Sequence, residues 1–353
     1  MNTHQSAECG VRSAELRTFL LRTPNSELRT QHGSVLLYVV WAIALLSLFA
    51  ASIGSRAIFS LGLTERFTDQ LRAVYLARGA AHYAALTLAQ DDTATVDGLS
   101  DAWANSPGRF QDRPLGAGWF QITSQEPGEV ERRYGLSDEE RRVNLNTAPA
   151  EVLQRLFELA GLREDEAVAL AAAVEDWRDA DDREEPHGAE GIYYRSLPDG
   201  YDCHDGLFEH VEELLLVRGV TPELYRRLEP HVTVYGSGRL NLNTATPIAL
   251  ASLGMSQIGL DGFLAYRAGD DGRDGTGDER RLVSTAQLSS ELAAFVPAED
   301  LARLTALAEA GFLGVGSSVF RMTIDARLAR AASGMTVECV MQRDGTIGVW
   351  EER

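Results

Sequence analysis

Residues 175–205, EDWRDADDREEPHGAEGIYYRSLPDGYDCHD, hold eleven carboxylates against three arginines. Carboxylates at this density repel one another unless a cation or protons relieve them. Gly and Pro interleave with the acids, so the backbone is able to fold back and bring them round one centre. Asp179, Asp181 and Glu190 stand at the first, third and twelfth positions of an EF-hand-like spacing. The loop is not an EF-hand, because Arg183 takes a ligand position and Glu184 takes the place of the required glycine. Asp176, Asp199 and Asp202 are further carboxylates of the same stretch. Two readings stand: a site for a hard divalent cation, or a solvated acidic loop, the usual fate of such runs. His204 beside Cys203 offers two adjacent donors, a poor start for a tetrahedral zinc set. A second acidic, Gly-rich stretch, DDGRDGTGD at 270–278, reads as a flexible loop.

No other constellation points to chemistry. The sequence lacks H-E-x-x-H, G-x-S-x-G and a P-loop, and its seven histidines are scattered. The formal net charge is −19, and all 33 basic residues are arginines. So acidic a chain repels phosphate backbones, which makes nucleic acid a poor default partner and favours cations and basic surfaces. The three cysteines, Cys9, Cys203 and Cys339, are too few for a disulfide framework. Cys203 and Cys339 are equally readable as a pair or as two free thiols.

The acidic stretch needs elements to position it, and these begin with an apolar run. Ser34 to Ser55 carries no charged side chain. As a helix its 22 residues span about 33 Å, enough for a bilayer core of roughly 30 Å. The helical pattern then continues to Gln90, with Phe67, Leu71, Val74 and Tyr75 on one stripe. A buried core helix would keep a polar stripe, and this run has none. A cleaved secretory signal, with Ala50-Ala51-Ser52 as its end, is the competing reading.

A hydrophilic leader ending in Gly33, then an uncharged run grading into an amphipathic helix, resembles a type IV prepilin signal. The resemblance implies that a membrane prepilin peptidase cuts between Gly33 and Ser34 on the cytoplasmic side. The retained helix would anchor the subunit in inner-membrane lipid and later pack into a filament. The chain departs from the common pattern at two places: Ser34 replaces the usual initial Phe, and Tyr38 stands where the fifth mature residue is usually Glu. In ordinary subunits that carboxylate neutralises a neighbour's amino terminus, and its loss is expected of a subunit at the filament tip.

Beyond the helix, VNLNTAPAEVLQRL (143–156) and LNLNTATPIALASL (240–253) share N-L-N-T-A, 97 residues apart. Thr147 and Thr244 are candidate N-caps, Pro149 and Pro247 fall in the first turn, and an apolar stripe follows each. Two related helical units are expected. The Ala-rich stretch 163–179 predicts a helix. Residues 207–235 predict a helix, a turn at Arg218-Gly219-Val220, a second helix capped by Thr221, and a short strand. Segments 118–125, 317–330, 335–342 and 346–352 alternate like strands, with Asp344-Gly345 as a hairpin turn. Strands thus flank a helical block.

The expected fold is α+β. After the leader (1–33) and the long helix (34–90), a pilin-like antiparallel sheet domain comes from 91–143 and 312–353. A large all-α domain, 144–311, is inserted in it. With the N-L-N-T-A pair, the W-R-D-A-D run and the terminal hairpin carrying Trp350, this layout resembles the K family of minor pseudopilins of type II secretion. The resemblance implies no enzyme activity, the I and J pseudopilins as partners, and a head on the periplasmic side of the inner membrane. It also implies calcium in the α-domain loops, carried by motif to Asp179, Asp181 and Glu190, with Asp176, Asp199 and Asp202 as further candidates. Two rivals remain open. N-L-N-T-A before a helix also resembles helix-hairpin-helix domains of DNA-uptake receptors, although Glu164, Asp165 and Glu166 after the first hairpin have the wrong sign for phosphate. A minor pilin of a type IV pilus is the other.

Overall fold

The computed structural model describes residues 32–93, 95–125, 132–329 and 334–353. The expected leader up to residue 31, with Cys9, lies outside the described residues, as do the side chains at the expected Gly33–Ser34 cut. The chain divides into two units between Thr64 and Glu65.

Helix α1 (His32–Ala89) runs through the division. In the first unit its large apolar side chains, from Val35 through Phe49 and Ile53 to Leu63, are exposed. This is the one helix among the described residues long and apolar enough to cross a membrane. Ser47 and Ser55 return their hydroxyls to the carbonyls of Ile43 and Ala51, so neither leaves an open polar group on the apolar rod.

The second unit follows α1 with α2 (Pro107–Phe110), β1 (Arg113–Leu115), β2 (Gly118–Thr123) and β3 (Ser137–Asp138). Next come β4 (Val143–Asn144), α3 (Ala150–Leu159), α4 (Glu164–Arg178), α5 (Gly191–Arg195), α6 (Pro222–Leu228) and β5 (Val232–Thr233). Then β6 (Leu240–Asn241), α7 (Pro247–Ser252), α8 (Gln257–Ala268), α9 (Leu288–Leu292), α10 (Ala298–Glu309) and β7 (Leu313–Gly314) follow, and the chain ends in β8 (Val319–Leu328), β9 (Gly334–Gln342) and β10 (Ile347–Glu352).

The sheet runs β1-β2-β8-β9-β10, antiparallel throughout, with β3 paired to β8. Alternation along β8 puts Phe320, Met322, Ile324 and Ala326 on one face and Arg321, Thr323 and Asp325 on the other. The apolar face packs against Leu76, Ala77, Ala80, Ala81, Ala84 and Leu88 of α1. Four alanines in that stripe let the helix lie close to the sheet. The β9–β10 hairpin turns at Gly345, whose φ of +90° suits glycine.

A separate core runs from Val143 to Leu313 and includes Leu153, Phe157, Trp177, Tyr194 and Phe263. Its outer limits are two small parallel bridges, β4 with β5 and β6 with β7. The two N-L-N-T-A copies start these bridged units and make matching bonds. Asn144 and Asn241 each accept from the backbone N–H two residues on, at 2.9 and 3.1 Å. Arg178 donates to the carbonyls of Leu145 and Ala148, and Arg267 donates to that of Ala245.

Two local expectations are corrected, and one loop gains detail. The threonines of N-L-N-T-A do not cap helices. Thr147 donates to the carbonyl of Gly238 and Thr244 donates to Asp138, because each faces a neighbouring segment that needs a donor. Thr246 caps α7 instead, accepting from Ala249 N–H, and Pro149 takes the N-cap position of α3 without a side-chain bond. The expected helix after residue 207 is a short 3-10 turn, Val211–Leu216, whereas Thr221 caps α6 as its position predicts. The 270–278 stretch closes on itself: Asp278 accepts from the N–H groups of Asp270 and Asp271, and Asp274 pairs with the buried Arg267.

Candidate cation site

Helix α4 delivers the acidic stretch. Glu164, Asp165 and Glu166 favour its N-terminal turn through the helix dipole, and Glu166 accepts from Arg163 N–H. Its inner face, including Ala171, Val174 and Trp177, sits in the core. The helix ends at Arg178, whose guanidinium is spent on the α3 entry, so Asp179 leaves the helix in extended backbone.

The chain then turns tightly. Asp179 accepts from Asp181 N–H at 3.2 Å and Asp181 accepts from Arg183 N–H at 2.9 Å. Asp176, on the last turn of α4, accepts from Glu185 N–H at 3.0 Å and so ties the returning loop to the helix. Gly188 lies against that carboxylate, where a Cβ would stand 2.0 Å from Asp176 Oδ2. Arg218 fixes the same turn, donating to the Gly188 carbonyl at 2.7 Å while stacking over Tyr193. Glu190 then caps α5 through Gly191 N–H.

These turns bring one carboxylate oxygen each of Asp179, Asp181 and Glu190 within 4.8 Å of one another. The group grades from exposed Asp181, through half-buried Asp179, to Glu190 at 4% exposure. Glu190 Oε1 is buried with no hydrogen-bond partner, and so is Asp176 Oδ2. Burial pushes the Glu190 carboxyl up to about 7, with the charges of Asp176, Asp205 and Asp179 adding to it against the Gly191 N–H. Burial likewise raises Asp176 and Asp179, each helped by neighbouring carboxylates. A buried carboxylate with an open lone pair and only like charges around it is costly, and a bound cation removes that cost.

The six sequence candidates separate. Asp179, Asp181 and Glu190 converge. Asp176 stands outside the triad but is charge-coupled to Glu190. Asp199 and Asp202 do not join. Asp199 sits exposed in the turn after α5, and Asp202 pairs with Arg195 at 3.1 Å. The reason is Cys203: its side chain is buried in the helical core, which turns its neighbours Asp202 and His204 outward. His204 Nδ1 meets Glu213 at 3.0 Å. Sequence reasoning passed over Asp205, which comes within 4.8 Å of Glu190 and Cys203. Its signal was slight, an Asp before Gly closing the acidic run.

Cys203 and Cys339 are both free and buried, the first in the helical core and the second in the sheet core.

Comparison with known proteins gives a consistent answer. A family model described as type II secretion system (T2SS), protein K, matches residues 134–237. A protein named type II secretion system protein K from Klebsiella pneumoniae is 30% identical over 231 residues, 63% of this chain and 69% of the relative. Its namesake in Aeromonas hydrophila is 28% identical over 252 residues, covering 66% and 74%. In Pectobacterium carotovorum the figures are 31% over 227 residues, 61% and 67%. The fold is shared with a chain of the GspK-GspI-GspJ complex from the enterotoxigenic Escherichia coli type 2 secretion system. The TM-score is 0.60 at 17% identity, over 82% of this chain and 99% of that one.

Proposed function

This chain belongs to the type II secretion system protein K family, and we propose that it is the minor pseudopilin at the tip of a type II secretion pseudopilus, acting by assembly and not by catalysis. The observation that carries the reading is the bare apolar start of α1, none of whose most apolar window is buried within the chain. Such a surface needs lipid or other helices to cover it. In this reading prepilin peptidase removes the leader after Gly33. The helix from Ser34 holds the subunit in the inner membrane with its head in the periplasm, and then enters the filament. Tyr38, exposed on that helix, supplies no carboxylate for the amino terminus of a subunit above it. A tip position demands none. Partners are the I and J pseudopilins, as in the complex that shares this fold.

Calcium belongs to the same reading. Asp179, Asp181 and Glu190 would hold it, supplying hard oxygen donors, and the partnerless Glu190 Oε1 supports the fit. The ion would neutralise the acids and stiffen the loop between α4 and α5. The residues hold the loop in place through Asp176, Gly188 and Arg218.

The test is mass spectrometry of the amino terminus of the exported form, with and without peptidase. A start at Ser34 that depends on the peptidase is expected. A start beyond Ser52 removes the helix and sinks the assignment. Co-purification of the K, I and J heads from one host tests the partners in parallel.

A further inference from the structure

Strand β10 closes one side of the sheet, and its outer edge is open. The register pairs Val349 with Val340, Trp350 with Cys339, Glu351 with Glu338 and Glu352 with Val337. Arg353 donates its N–H to the Thr336 carbonyl at 2.9 Å, which fixes the phase of the ladder. Val349, Glu351 and Arg353 therefore turn their backbone groups toward β9. Trp350 and Glu352 turn theirs the other way, where no strand among the described residues meets them. The opposite edge of the sheet is guarded: β1 has only three residues, and Pro114 among them lacks an N–H. β10 has six residues and no proline.

The side chains along the open edge share one chemistry. Glu351 and Glu352 are both exposed. No described arginine pairs with Glu351, since Arg353 goes to Glu338. Glu352 lies beside the half-buried Trp350, whose indole N–H reaches its carboxylate at 3.4 Å. An indole next to a carboxylate suits a guanidinium, which stacks on the ring and pairs with the acid. Toward the hairpin, β10 bulges between Ile347 and Val349. Gly348, without a side chain there, lines a cavity of about 270 Å³ with Val319, Val340 and Tyr235. An apolar side chain passing Gly348 meets these walls. A second copy of β10 in that place would set glutamates against glutamates, which repel.

We propose that the outer edge of β10 is a docking strand for an extended segment of another polypeptide, one carrying two adjacent basic residues opposite Glu351 and Glu352 and an apolar residue near Gly348. Paired antiparallel, the segment exchanges N–H and C=O bonds with Trp350 and Glu352 and lengthens the sheet by one strand. Neighbouring residues of a strand point to opposite faces, so the basic pair meets Glu351 on one face and Glu352 on the other. Backbone pairing supplies the strength, and the two acids select the register by charge.

The experiment uses the full chain in neutral detergent and the labelled peptide Thr-Arg-Arg-Thr-Thr-Val-Thr, followed by fluorescence anisotropy. Saturable binding is expected. N-methylation of the peptide amides that face β10 abolishes it, whereas N-methylation of those that face away spares it. Glu352→Pro deletes only an outward N–H and keeps the ladder to β9, so the fold survives and binding weakens roughly tenfold. E351Q/E352Q weakens binding as well, while E164Q/D165N, which removes two exposed charges on α4, leaves it unchanged. Hydrogen exchange shows the Trp350 and Glu352 amides gaining protection when the peptide is bound. Equal binding of the two methylated peptides, binding that E352P leaves intact, or no binding to the parent chain overturns the proposal. A dimer of this chain that E352P dissociates gives the edge to a second copy and overturns it too.

Discussion

Asn146 grips the backbone of Phe208 from both sides. Its side-chain amide donates to the Phe208 carbonyl at 3.0 Å, and its carbonyl accepts from the Phe208 N–H at 2.8 Å. Asn243, in the second N-L-N-T-A copy, holds Leu282 in the same way at 3.0 and 2.9 Å. Each repeat thus pins a distant loop, and the first pins the one that follows Asp205.

Asn146→Ala leaves a backbone N–H and C=O without partners and is expected to cost about 1–3 kcal/mol. Asn243→Ala should cost as much. Only the first should also weaken metal binding, since Phe208 follows the acidic loop. Urea unfolding with and without calcium checks this, and equal loss of binding in both variants would refute the local link.

The acidic triad is testable residue by residue. D179N, D181N and E190Q should each weaken calcium by roughly tenfold or more, because affinity follows ligand charge. D199N and D202N should leave it unchanged. Terbium luminescence gives the readout, with Trp177, packed against Tyr194 at 5.1 Å and His204 at 6.2 Å, as a nearby sensitiser. W177F should dim the signal without changing stoichiometry.

Stability should depend on Asp138, buried where β3 meets the helical block. Burial pushes its carboxyl from 3.8 up to about 6, opposed by donors on Ser317, Thr244 and Asn241, with the Glu140 charge adding to the rise. The folded state therefore holds this proton more tightly than the unfolded chain. The resulting stability is fully present below about pH 4 and is lost as pH rises through about 6. Asp138→Asn, which still accepts from Ser317 and Thr244, should flatten the slope of unfolding free energy between those values. An unchanged slope would show that Asp138 does not titrate there.

Burial raises the thiols of Cys203 and Cys339, to about 12 and about 11. Both should react slowly with a chromogenic thiol reagent in the native, metal-free chain and rapidly in denaturant without prior reduction. A need for reductant would mean that they pair, against their separate cores.

Much of this fold is written in local pattern. An uncharged run must be helix where no water bonds its backbone, and period-two alternation at 118–123, 319–328 and 334–342 gives one buried sheet face, which is why those strands appear where expected. The Asp179–Asp181–Glu190 spacing was readable because two of the three sit two residues apart at a helix end. Local pattern misassigned Thr147 and Thr244, since a hydroxyl's partner is whichever unmet group lies nearest in space, here Gly238 and Asp138.

The sequence by itself determined the apolar rod, the strands, the doubled N-L-N-T-A motif and the acidic reservoir, because each depends on residues near one another in the chain. Only the tertiary structure decided which acids meet. Burial of Cys203 in the helical core turned Asp202 away, and the following turn brought Asp205 toward Glu190, fifteen positions earlier in the chain. Cavity walls are set by what the core draws in, and that sum over distant contacts is invisible to spacing alone.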